Sequence, residues 1–485
     1  MKKLQANRKE EVVKLLKRQK IRNLKDLEDY KLSICHPCSA GIDIGSREIY
    51  VAINPEIAAE LGMPIVRVFP TYTTGLQECR DWLKYCGIDC VSMESTSVYW
   101  KNIYDILEEA GIEPCLVNPR KFRMVPGRKT DVLDCQWLQT LHMYGLLSGS
   151  FVPKGHIRQL RSYMRHRDRL LKDRAKYIQR MQKNLVEMNL MLVNVVDDIM
   201  GVTGTKIITA ILGGERNPKV LAAFRHGGCK KSEQEIAEAL NGNYKDEQLY
   251  LLKANYEAYK FFNSQITDLD SQIGVLLDSF PQAEKTESNQ SDDTSTGSEG
   301  NDMPPKKKKP SKSKNDLRIN NLPEKLVRIT GIDLTTVTGL QTNTILQIIS
   351  EVGTDMSKFP SAKSFASYLG FVPHNKITGG VIISSSTDRI RNAASHAFRK
   401  VATSVGQGKT ALGAFYRRIA AKGSKAKAVV ALCRKLAMIY YNTIVYGKEF
   451  VEYGAEKYKK QQEEREKLLI AKLARKHKLV VQKAI

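Results

Sequence analysis

The segment Ala40-Gly41-Ile42-Asp43-Ile44-Gly45 constrains this chain more than any other: it reads as a buried strand with a carboxylate inside it. A buried acid is costly unless it is paired or bound to a cation. A fold that contains this strand must therefore bring compensating charge to that point. Three further acids sit where such a site would want them. Glu94 closes a second apolar run, Cys90-Val91-Ser92-Met93, and Asp131 and Asp134 lie three apart in Lys129-Thr130-Asp131-Val132-Leu133-Asp134. That spacing puts both on one face of a helix. Grouped carboxylates are the oxygen donors that hold Mg²⁺, and a metal pair can clamp the attacking and leaving oxygens of a phosphodiester. The competing reading is ordinary helix caps and surface ion pairs, and the pattern alone does not separate the two.

The surrounding periodicity predicts strands at about 40–45, 48–53, 64–69, 89–93 and 113–117 and helices at about 74–86, 98–110 and 129–146. Three strands precede the first helix and alternation follows. This order implies a mixed sheet of the ribonuclease H type, with Asp43 on the central strand, Glu94 at the end of the fourth, and the Asp131/Asp134 helix packed across the sheet.

With 485 residues the chain is too long for one ordinary domain. Lys and Arg number 77 against 52 Asp and Glu, a net charge of +25, which points to a polyanionic partner, most simply nucleic acid. No apolar run approaches the roughly 20 residues needed to span a bilayer, and the start of the chain lacks a signal-peptide core. A cytoplasmic, nucleoid-associated protein with no membrane partner is expected. Nine cysteines without a framework read as free thiols. Cys35-His36-Pro37-Cys38 is half a zinc motif, and no second pair follows at zinc-finger or zinc-ribbon spacing, so structural zinc is not expected.

The organisation reads as a basic arm (1–38), an α/β domain (39–150), a helical spacer (151–282), a linker (283–316), a mostly helical domain (317–450) and a basic tail (451–485). In the spacer, Leu160, Met164, Leu171, Ile178, Met181, Leu185 and Met188 keep near-heptad spacing, with Arg167 and Arg174 at seam positions. This suits either a coiled coil between chains or a helix packed against a second one at about 246–279. Gly201-Val202-Thr203-Gly204 and Gly339-Leu340-Gln341-Thr342 each open a helix in a helix-hairpin-helix-like pattern, a place where free N–H groups can hold phosphate. The polar linker, ending in Pro304-Pro305-Lys306-Lys307-Lys308-Lys309-Pro310, cannot bury enough apolar surface to fold.

The last domain carries Leu369-Gly370-Phe371-Val372-Pro373-His374-Asn375-Lys376-Ile377-Thr378-Gly379-Gly380, then Ser384-Ser385-Ser386-Thr387 and Arg389, Arg391 and Asn392. Read alone, this is an anion-binding loop with an accessible hydroxyl. Arg128, Lys129, Lys376, Arg389 and Arg391 are the candidate phosphate contacts, the alternative being a solvated basic surface. Tyr99 and Trp100 are core aromatics or, less simply, base-stacking groups.

Taken together, the acids Asp43, Glu94, Asp131 and Asp134, a helical spacer and the Gly-Phe-Val-Pro…Thr-Gly-Gly domain resemble the DEDD transposases of the "IS one-ten" insertion-sequence family, relatives of the Piv-type DNA invertases. The resemblance covers about 39–445 and leaves out the linker, arm and tail. It implies an α/β plus α architecture: a RuvC-like N-terminal domain, a coiled-coil spacer and a mostly helical C-terminal transposase domain. It also implies a Mg²⁺-dependent recombinase acting on donor and target double-stranded DNA, guided by a structured non-coding bridge RNA. A dimer or tetramer is implied too, because one subunit's acids work beside another's nucleophile. The family's four acids fall on Asp43, Glu94, Asp131 and Asp134, and its nucleophilic serine falls on Thr378. Threonine has the same hydroxyl and an added methyl group, so it is stiffer but able to attack phosphorus. Three readings stay open: Thr378 as nucleophile, Ser384 as its fallback, or loss of covalent chemistry. Beyond the recombinase stand two alternatives, a RuvC-like junction nuclease that activates water and an inactive transposase-derived nucleic-acid-binding protein.

Overall fold

The computed structural model describes residues 33–95, 97–118, 130–153, 155–283, 313–387, 392–408 and 410–447, with short stretches between 460 and 475. Arg128, Lys129, Arg389 and Arg391 lie outside the described residues, as do most of the arm, linker and tail. The chain divides into two compact units, Met1–Val152 and Pro153–Ile485.

In the first unit β1 (Ser39–Ile44), β2 (Glu48–Ile53), β3 (Val66–Pro70), β4 (Cys90–Glu94) and β5 (Glu113–Val117) form one sheet in the order β3-β2-β1-β4-β5. β1, β2 and β3 run antiparallel, and β4 and β5 continue parallel to β1. This is the mixed sheet expected from the order of elements, with β1 at its centre. The apolar run of β1 splits by alternation. Ala40, Ile42 and Ile44 pack with Val51, Ile53, Val91 and Met93 and with Leu76, Leu83, Ile103 and Leu107 of the covering helices α2 (Thr73–Tyr85) and α3 (Trp100–Glu109). The other face is lined by small residues, Gly41, Ala52 and Ser92, and carries α4 (Asp131–Met143). One helix was not expected: α1 (Pro55–Leu61) sits between β2 and β3. Asn54 caps it by accepting from the Glu56 N–H, and Pro55 opens it. Seven residues are too few to show a period against the neighbouring strands.

The second unit is built on two long helices, α5 (Gly155–Glu187) and α10 (Asp246–Asp278). Side-chain pairs Arg167–Asp270, Arg174–Asn263 and Asn184–Gln248 descend α10 as they climb α5, so the helices are antiparallel. The seam is thus satisfied within the chain. Leu171, placed on the seam by its spacing, is only half-buried, and Leu170 takes the interior position. Between the pair lie α6 (Leu192–Val195), α7 (Val202–Leu212), α8 (Pro218–Ala222) and α9 (Glu233–Ala239), which close a core around Met181, Leu185, Leu190, Ile207, Ile211, Leu221 and Leu252.

The opposite end of the pair, with Leu160, Met164, Ile273 and Leu277, shares a second core with α11 (Leu322–Thr330), α12 (Thr342–Val352), α13 (Ala362–Tyr368), α14 (Ala393–Gln407) and α16 (Lys425–Tyr446). α15 (Ala411–Lys422) packs on α14 and α16. By length and composition α16 passes for a membrane-crossing helix; its residues Leu432, Leu436, Ala437 and Tyr440 are fully buried in this core. The expected linker overlaps folded chain at its end: Asn315 accepts from Arg167 and Arg174, and Asp316 accepts from Asn343. Residues 313–316 were read as linker because Ser, Lys, Asn and Asp carry no apolar signal; they are held by polar partners instead.

Candidate active site

The acids of the first unit are brought together by strand register and one close helix crossing. β1 and β4 are parallel with Gly41 beside Ser92 and Ile42 beside Met93. Asp43 and Glu94 are the next residues on each strand, on the face that Gly41 and Ser92 share. Neighbouring strands are about 4.8 Å apart, so these two carboxylates are side by side at the strand ends. Asp43 is the penultimate residue of β1, nearer its end than the mid-strand position expected for it.

Over this face lies α4, close enough that a Cβ on Gly41 would fall 2.3 Å from the Cys135 carbonyl oxygen and 2.3 Å from the Gln139 nitrogen. The Ser92 hydroxyl donates to the Leu138 carbonyl at 3.1 Å, tying β4 to the same helix. Asp131 and Asp134 occupy the first turn of α4, one turn before the crossing, where the helix dipole favours negative charge. Thr130 caps this turn, its hydroxyl accepting from the Leu133 N–H at 3.3 Å.

Two neighbours report the resulting field. Burial pushes the Cys135 thiol up to about 12, and the charges of Asp43 and Asp134 add to it. Tyr50, paired with Asp43 across β1 and β2, is raised by desolvation and then by Glu48, Asp131 and Asp43. Asp43, Glu94 and Asp134 are half-buried and Asp131 is exposed, so the cluster is open on one side. Concentrated negative charge and all-oxygen donors are the chemistry of a hard divalent cation site. The donor chemistry of the four residues is that of such an ion.

Thr378 belongs to the second unit. It does not lie on a loop, as expected, but ends β6 (Pro373–Thr378), which pairs with β7 (Val381–Thr387) in a two-stranded hairpin. The turn is Gly379-Gly380, with φ of 56° and 81°, both in the left-handed region that two-residue hairpin turns require. Thr378 is opposite Val381, Ile377 is opposite Ile382, and after a register shift Lys376 is opposite Ser384. Alternation then puts Thr378, Lys376 and Ser384 on one face of the ribbon. Thr378 and Lys376 are exposed, and Ser384 is half-buried. The sequence suggested a loop because Gly-Gly and a serine run are turn signals. The strands on either side are short and exposed, and lack an alternating apolar face.

Of the remaining expectations, Tyr99 is exposed and Trp100 is half-buried, edge-on to Tyr104 at 5.5 Å between ring centroids. In the first helix-hairpin-helix-like element, α7 starts at Gly201 with no side-chain cap. In the second, Asn343 in the first turn of α12 accepts from the Leu317 N–H and donates to Asp316. Sequence reading missed the parts of the site that carry no charge: Gly41, Ala52 and Ser92, whose alternating small side chains were the available signal for a helix crossing at short range.

Residues 40–190 match the model of a transposase domain of the DEDD type, and residues 333–416 match a model described as transposase, IS116/IS110/IS902 family. The first span includes all four acids and the second includes Thr378 and Ser384. No curated protein matches the chain.

Proposed function

The chain belongs to the IS110 family of transposases, DNA-processing enzymes, and from that premise we propose that it is an RNA-guided recombinase that excises and inserts a mobile element through a covalent protein–DNA intermediate. The observation that carries this reading is the convergence of Asp43 and Glu94 on adjacent strand ends beneath the acidic first turn of α4. In this reading Thr378 is the nucleophile. Its Oγ1 forms a bond to the scissile phosphorus, the bond from phosphorus to the departing strand oxygen breaks, and that oxygen leaves as a hydroxyl. The hydroxyl proton of Thr378 passes to a carboxylate of the acidic cluster, which gives a proton to the departing oxygen. Attack by a second strand's hydroxyl on the threonyl phosphodiester reverses the step and frees Thr378, so phosphodiester energy is conserved and no external energy source is needed.

Asp43, Glu94, Asp131 and Asp134 are the residues that would hold Mg²⁺, and the bound ion would supply charge stabilisation at the phosphate. Lys376 shares a face with Thr378 and is placed to hold a phosphate oxygen. Arg128, Lys129, Arg389 and Arg391 are further phosphate contacts in this proposal. Sequence choice is assigned to the guide RNA, leaving the protein chiefly backbone contacts, a division that suits the +25 charge. We place the acting assembly as a dimer or tetramer in the cytoplasm at the nucleoid, one subunit's acids serving another's Thr378.

The test is a covalent-adduct assay with the full chain, its guide RNA, DNA carrying the element's ends, and Mg²⁺. After denaturation, protein-linked strands are expected for the wild type and for Ser384→Ala. They should fall by more than about a hundredfold in Thr378→Ala and Asp43→Asn, the scale set by loss of a positioned reacting group. Cleavage without adduct, indifferent to Thr378→Ala, would favour a junction nuclease. DNA and RNA binding without cleavage would favour an inactive binding protein.

A further inference from the structure

The far end of α4 from the acids carries a second set of donor atoms. His142 in the last turn of α4, Cys90 at the start of β4 and His36 just before β1 place one ligand atom each within 4.8 Å of one another. Parallel strands and an antiparallel α4 explain the location: Ser39 and Cys90 are register partners at the entry end of the sheet, opposite the end where Asp43 and Glu94 lie. From Asp134 to His142 the helix rises about 12 Å, so the two clusters are separate sites.

The segment carrying His36 is fixed there by backbone contacts. The Cys35 and His36 N–H groups both donate to the Met143 carbonyl, at 2.8 and 3.0 Å. The His36 ring stacks on His142 with centroids 4.7 Å apart and planes 10° from parallel. A stacked pair would be mere packing but for a second fact. His142 is only 6% exposed, and its Nε2 is buried with no hydrogen-bond partner among the described residues. An orphaned buried polar atom is costly, so something is needed to satisfy it.

We propose that His36, Cys90 and His142 bind a structural transition-metal ion of the zinc class. Two imidazoles and a thiol are borderline-soft donors that select zinc over magnesium. Tetrahedral zinc, with bonds of about 2.0–2.3 Å, puts its donors about 3.3–3.8 Å apart, so the trio closes by up to about an ångström or slightly more on binding. The fourth position is left to water. On binding, Cys90 gives up its thiol proton to solvent and ligates as thiolate. The half-motif Cys35-His36-Pro37-Cys38 therefore finds its partners 50 and more residues along the chain, on a strand and a helix, where no spacing rule looks for them. The ion would clamp the start of β1, the start of β4 and the end of α4 together.

The full-length chain, purified without added chelator, is assayed for zinc by elemental analysis, then stripped and titrated with Co²⁺. Stoichiometric zinc and a Co²⁺ spectrum with tetrahedral d–d bands and a thiolate charge-transfer band are expected. Both should be lost in Cys90→Ser and His142→Gln and retained in Asp43→Asn. His36→Ala guards against misfolding, because His36 is exposed and its removal leaves the apolar core untouched. This variant should keep the wild-type circular dichroism spectrum while losing the cobalt bands. A folded wild-type chain without stoichiometric zinc or cobalt, or with a cobalt spectrum lacking thiolate character or unchanged in His36→Ala, overturns the proposal. None of these readouts uses recombination, so the outcome is independent of the proposed activity.

Discussion

Gly41→Ala puts one carbon where α4 crosses the sheet, against backbone atoms that no side-chain rotation can move. The helix must lift, and its first turn carries Asp131 and Asp134. We expect a loss of about 1–3 kcal/mol, the range for overpacking a close contact, and weaker divalent-metal binding at acids the substitution never touches. Urea unfolding with and without Mg²⁺ checks both; unchanged stability would mean that α4 does not bear on Gly41. The four acids themselves were legible at this scale because a carboxylate inside or at the end of an apolar run is chemically conspicuous. Gly41, Ala52 and Ser92 were not, since a small residue's role is the space it leaves, and that space exists only once its neighbour is known. His142 was hidden differently: its partners come from two other elements.

At the scale of elements, α5 shows why an arginine-rich helix need not be a nucleic-acid-binding one. Arg167 is buried and bidentate with fully buried Asp270, at 2.5 and 3.1 Å, and Asp270 also accepts from the Arg318 N–H. Arg165 makes a bidentate pair with buried Glu351 at 2.8 and 2.9 Å, and Arg161 donates to the Ser350 and Glu351 carbonyls. Removing one member of such a pair strands the other. Asp270→Ala should therefore cost about 3–5 kcal/mol, whereas replacing the pair together, Arg167→Met with Asp270→Leu, should be far closer to neutral. Urea midpoints of the single and double variants decide this, and equal losses would mean the charges are not coupled. Heptad spacing announced the helix and flagged Arg167 and Arg174 as misfits, but a linear pattern cannot say that the misfits meet an aspartate and an asparagine on a partner helix of the same chain. Similarly, the strands of the first unit follow their alternation closely, while the Thr378 hairpin, exposed on both faces, has no alternation to read.

For the whole molecule, not every cation counted in the net charge is free to meet DNA: Arg174 is buried in the second unit on the neutral amides of Asn263 and Asn315. Non-specific DNA affinity should fall steeply with salt. Lys376→Ala should shallow the slope of log K against log salt by about one, and Arg174→Met should leave it unchanged. Fluorescence anisotropy across a salt series checks this; a slope sensitive to Arg174 would put that guanidinium outside the core. Length points to two or three domains, and the shared core of the spacer and the C-terminal helices could not be foreseen, because apolar positions in helices do not name their partners. That core has a consequence for what the chain tolerates. On one side of residues 284–312 the Ala283 N–H donates to the Arg328 carbonyl at 2.9 Å, and on the other Asn315 is held by Arg167 and Arg174. Both flanks are moored to the same body by contacts of their own, so neither is held in place by the sequence between them. The stretch is thus a port at which an evolving element, or an engineer, can insert a tag or a whole domain without asking the fold to change.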